Sequence, residues 1–129
     1  MSDKVEIKKF VQNVLGCGCA EEVFQTIEHG KNVPVCGDVC VSDRINIGNR
    51  LLVYVLETND TGFIKDYMAD LVRNGIKERD EQGYNRFRLA ISTDRVEEVD
   101  KIAGEIFNDL RKDDRVYLHV IKKGETASF

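Results

Sequence analysis

The residues best suited to chemistry are four cysteines, a Cys17-Gly18-Cys19 pair and a later pair, Cys36 and Cys40, spaced C-x₃-C. Four thiolates are soft ligands in the number that tetrahedral zinc or an iron–sulfur cluster takes. The spacing departs from the C-x₂-C and C-x₄-C knuckles whose backbone amides fold back onto sulfur. A second chemistry needs only Cys17 and Cys19, trading disulfide with a partner or holding a soft ion such as copper(I). Cys19 stands where a helix would begin, and the positive end of a helix lowers a thiol pKa, while Glu21 and Glu22 oppose that effect. A third reading is packing, strongest for Cys36 and Cys40 among valines, because free cysteine is often buried. His29 is a substitute ligand or simply a charge partner for a helix end.

The elements that must place these thiols follow from periodicity. Asp3 and Glu6 form a capping box before Ile7, Phe10, Val11 and Val14, and Gly16 stops a helix predicted over 4–15. After the cysteine turn, Val23, Phe24 and Ile27 mark a second helix ending at Gly30. From 31 to 43 valines alternate with polar residues around a break at Gly37-Asp38. Ile45-Asn46-Ile47, Gly48-Asn49 and RLLVYVLE (50–57) then predict a hairpin leading into a central strand.

Phe63, Ile64, Tyr67, Met68, Leu71 and Val72 trace an amphipathic helix ended by Asn74-Gly75, with a short strand expected over 76–79. RFRLAIS (86–92) reads as a strand with one wet side. Asp94 and Glu97 cap a helix to about 111, and RVYLHVI (115–121) is the last strand. Arg86, Arg88, Arg115, Lys122 and Lys123 read as a solvated rim.

This order predicts an α+β fold, a ferredoxin-like antiparallel sheet with two helices on one face. The expected organisation is an N-terminal helical segment with the cysteines over 1–42, the α+β domain over 43–122 with an extra edge strand at 43–48, and a loose tail over 123–129, together forming one compact unit. An open edge at 43–48 implies a homodimer through the sheet edge, or another protein partner.

Composition narrows the classes. Of 129 residues, 42% are hydrophobic and 33% charged, too apolar for a disordered chain. A net charge of −4 supplies no field for phosphate backbones, so nucleic acid is not an expected partner. No apolar run reaches membrane-spanning length and the first residues lack a signal-peptide core, which implies a reducing, cytoplasmic setting without structural disulfides. Walker A, G-x-G-x-x-G, H-E-x-x-H and G-x-S-x-G motifs are absent, so no stand-alone hydrolase or transferase is expected.

Asn59-Asp60-Thr61-Gly62, opening a helix after a central strand, and Asn74-Gly75-Ile76 beyond it resemble ACT domains, small-ligand-binding regulatory modules, over roughly residues 50–122. The resemblance implies an effector site at Asp60 and Gly62 between subunits. Thr61 replaces the family's proline, and the Asp80–Asn85 turn and the cysteine segment are not part of that family. Helix capping is the competing role for Asp60. The functional expectation is therefore a soft-metal or thiol-redox site at the cysteines, with a non-catalytic regulatory or assembly domain as the alternative.

Overall fold

The computed structural model describes residues 9–11, 26–36, 39–110 and 112–122. The Cys17-Gly18-Cys19 turn, most of the first expected helix and the tail lie outside these residues. Five strands among the described residues form one sheet in sequence order: β1 (Ile27–Cys36), β2 (Val39–Ile47), β3 (Leu51–Glu57), β4 (Arg86–Thr93) and β5 (Val116–Lys122). Helix α1 (Thr61–Gln82) joins β3 to β4, and α2 (Val96–Asp109) joins β4 to β5.

The α+β class and the two helices on one face hold, but the ferredoxin-like antiparallel sheet does not. β1, β2 and β3 pair antiparallel, whereas β3–β4 and β4–β5 pair parallel. The cause is α1. No strand forms over 76–79, because the helix runs through Asn74-Gly75 to Gln82 and ends at Gly83, whose φ of 76° suits glycine. One helix between two strands makes a crossover, and a crossover returns the chain parallel. Gly75 is no stop signal. A β-carbon there would collide with the Phe87 ring, so its bare face lets α1 press against β4.

The hairpin at Gly48-Asn49 forms as expected. Both residues have positive φ, 61° and 56°, and Arg50 N–H donates to the Ile47 carbonyl at 3.1 Å, the pattern of a turn matched to strand twist. Residues 27–30 are strand, where a helix was expected to run to Gly30, and Ile27 pairs with Ile47. Residues 43–48 are therefore no sheet edge. They belong largely to β2, which lies between β1 and β3, and a boundary at 42/43 would cut through that strand.

Two cores flank the sheet. On the helix side Leu52, Tyr54, Leu56, Phe87, Leu89 and Ile91 meet Ile64, Met68, Leu71 and Val72 of α1 and Val99 and Ala103 of α2. On the opposite side Ile45, Ile47, Val53, Val55, Ala90 and Ile121 pack with Phe10 and Val11. β3 and β4 are thus covered on both faces, which explains the continuous apolar run of β3. The wet side expected for β4 is absent. Arg88, placed by the sequence on a solvated rim, is 6% exposed and lies over the Tyr117 ring at 4.4 Å.

Candidate ligand-binding cleft

The cysteines separate between described and undescribed residues. Cys36 ends β1 opposite Val39, and Cys40 stands in β2 opposite Pro34, on adjoining rungs of the β1–β2 hairpin. Cys40 is a free, exposed thiol, which corrects the expectation that valine-rich surroundings bury it. Alternation explains the difference, since Val39 and Val41 turn into the core and the residue between them turns out. His29 is bound to Asp43, Nε2 to Oδ1 at 2.7 Å, with both side chains 11% exposed. It is held by a carboxylate across the hairpin and caps no helix. Among the described residues no three His, Cys, Asp or Glu side chains gather as a metal-binding group.

Asp60 caps α1, its Oδ1 accepting from Phe63 N–H at 3.2 Å. Gly62 sits in that first turn with Asp60 Oδ1 close to where a β-carbon would stand. The adjacent Asn59 is the busier residue. Its Oδ1 accepts from Thr93 Oγ1 and from Asp94 N–H, both at 2.9 Å, stitching the loop after β3 to the loop after β4.

The most developed polar arrangement is one that the sequence reading missed. Arg44 on β2 and Tyr54 on β3 are cross-strand partners, so they share the helix-side face. Asn74 and Glu78, four apart on α1, come down over them. The Tyr54 hydroxyl donates to Glu78 Oε1 and accepts from Asn74 Nδ2 at 3.0 Å. Arg44 donates to Glu78 Oε2 from Nε at 2.8 Å and also from Nη2. Tyr54 is fully buried, its ring edge-on to Phe87 at 4.9 Å.

This network borders a cleft of about 250 Å³ whose far wall is Val33, Pro34 and Val35 of β1 and whose rim adds Lys77 and Glu81. Asp60 and Gly62 are not among its lining residues. Burial, followed by the bond to Glu78, pushes the Tyr54 phenol well above its ordinary pKa. Burial opposes the Arg44 charge, but the hydrogen bond and charge of Glu78 outweigh it and raise the Arg44 pKa. The cleft therefore presents a fixed guanidinium and a carboxylate whose two oxygens are engaged, with the Tyr54 phenol buried behind them. Such a set can bind and orient a ligand.

Only composition could have hinted at this site. RLLVYVLE places one phenol in an otherwise apolar strand, and a buried tyrosine hydroxyl requires a partner. Which partner depends on how α1 crosses the sheet. No family model matches the chain, and no curated protein or solved structure matches it either.

Proposed function

We propose that the chain is a non-catalytic ligand-sensing or assembly module whose ligand site is the cleft between the β1–β2 hairpin and α1. The observation that carries this reading is the Arg44–Glu78–Tyr54–Asn74 network, which holds a cation at the border of a metabolite-sized cleft. A few partly buried polar groups that hold one another in place, beside valine and proline side chains, are a usual make-up of a small-molecule site. An ACT-type sheet is no part of the reading, because β3, β4 and β5 are parallel. Nitrogen-15 NMR of the full chain against mixtures of small metabolites tests it. Shifts confined to Val33, Val35, Asn74 and Lys77 amides are expected. Shifts confined to residues 60–63 would move the site to the Asp60–Gly62 loop and overturn the reading.

A second reading keeps the cysteines as a soft-metal or thiol-redox site, with zinc or an iron–sulfur cluster as cofactor. Its support is the exposed thiol of Cys40 one rung from Cys36, at the end of the strand that walls the cleft. Metal analysis of protein purified without oxygen decides it. About one equivalent of metal, lost in both Cys17→Ser and Cys40→Ser, establishes a shared site. No metal, with alkylation of the native protein confined to Cys40, leaves an isolated surface thiol. A homodimer through a sheet edge would use β5. β1 carries a left-handed Asn32, φ 51°, and the donorless Pro34, which blunt it for pairing. A monomeric mass by light scattering rejects the dimer.

A further inference from the structure

We propose that the cleft takes a small monocarboxylate with a short apolar tail, the carboxylate on Arg44 and Lys77 and the tail on Val33, Pro34 and Val35. This rests on the reading that the cleft is a binding site, and it adds the chemical class of the ligand. Arginine carries five N–H donors in a planar fork that matches a carboxylate. Glu78 fixes that fork without using every donor. With its oxygens engaged by Tyr54 and Arg44, the Glu78 carboxylate serves to aim the guanidinium.

Lys77 is the second cation. It pairs with Glu81, four residues on, at 3.8 Å, with the two side chains 73% and 60% exposed. An ion pair of that length and exposure is worth little, so Lys77 turns to an incoming anion at small cost. The charge of the ligand is limited by the helix. The cleft lies along the C-terminal half of α1, whose dipole end carries about half a negative charge, and Glu81 adds its own. Glu78 offsets Arg44 and Glu81 offsets Lys77, so the lining carries no surplus of positive charge, and a single carboxylate is held by directed N–H donors from the two cations. A phosphate, with nearly twice the charge, meets twice the repulsion with no additional cation lining the cleft. A volume of about 250 Å³ is below the range usual for drug-sized ligands and suits a molecule of a few heavy atoms.

Titration of the nitrogen-15-labelled full chain with 3-methylbutanoate, its neutral isostere 3-methylbutanamide and the cation 3-methylbutylamine tests the proposal. The carboxylate is expected to shift the Val33, Val35, Asn74 and Lys77 amides and to bind about tenfold more tightly than either control. Arg44→Lys, which keeps the charge but loses the fork, should weaken the carboxylate about tenfold. Glu81→Gln, a change at an exposed position, should tighten it about threefold at low salt. Equal binding of all three probes at the cleft overturns the carboxylate class and leaves a binding cleft. No shift at the cleft with any probe at about 20 mM, a concentration that reveals even millimolar affinity, overturns both.

Discussion

Glu78 serves two partners at once, and removing either end of that arrangement should cost unequal amounts. Tyr54→Phe deletes the hydroxyl that donates to Glu78 and accepts from Asn74, and is expected to lose about 1–2 kcal/mol in urea unfolding. Glu78→Ala should lose more, because it strands both a fully buried phenol and a partly buried guanidinium. The Tyr54→Phe, Glu78→Gln double-mutant cycle should show a coupling of at least about 0.5 kcal/mol; strict additivity would mean the contact is incidental. Asn59 is the comparable residue at the other end of the strands. Asn59→Ala leaves Asp94 N–H and the Thr93 hydroxyl without their shared acceptor, and should destabilise by about 1–3 kcal/mol.

Helix α1 decides the topology, and Gly75 is where its sequence and its packing pull apart. Alanine is the better helix former by about 1 kcal/mol, so propensity alone predicts that Gly75→Ala stabilises. The Phe87 ring lies where that methyl would go, and overpacking a core costs about 1–3 kcal/mol. Packing should win: Gly75→Ala is expected to lower the urea midpoint, and Phe87→Leu in the same chain should recover part of the loss. A higher midpoint for Gly75→Ala would show that α1 can lift from β4. The amphipathic stripe of α1 was legible from its apolar spacing, with Ile64, Met68, Leu71 and Val72 buried as expected, although Phe63 is only partly buried and Tyr67, also placed on it, is 40% exposed. Its last two turns were not, because Asn74-Gly75 has the appearance of a helix end in every local respect.

Acid sensitivity belongs to the whole molecule, since the groups responsible bridge distant segments. His119 on β5 accepts from Arg88 Nη1 on β4 at 2.9 Å, which places its own ring proton on Nδ1. Burial, then the Arg88 charge, lowers its pKa from 6.5 to about 4. A depressed histidine favours the neutral form, so its contribution is complete above pH 6.5 and is lost as pH falls toward 4. Asp113 follows the same direction in a lower window. The two-pronged bond from Arg79, at 2.9 and 2.6 Å, lowers its pKa from 3.8 to about 2, so that contribution is lost only below pH 3.8. Unfolding free energy measured against pH should fall from 6.5 to 4 in the native chain and flatten there in His119→Gln. An unchanged slope would place the acid sensitivity elsewhere. Amide exchange should be slowest in β3 and β4, whose faces are both covered, and faster in β1 at the edge of the described sheet.

The sequence by itself determined the α+β class, the Gly48-Asn49 hairpin, the central strand Leu51–Glu57 and the existence of both amphipathic helices, because each is written in residues close together in the chain. Two-residue turns and repeats of 3.6 act locally, and local rules suffice for them. Tertiary structure alone decided that the sheet is mixed, that β2 is interior, and that Cys40 faces out while Arg88 is buried. It also assembled the cleft from residues up to 48 positions apart, Val33 to Glu81. The Arg44–Tyr54 pairing depends on strand register, and the approach of Glu78 depends on a helix that continues past Gly75 to cross the sheet. The first follows from the Gly48-Asn49 turn that sets the register, whereas the second is encoded in no short window of the chain and arises when α1 settles against Phe87.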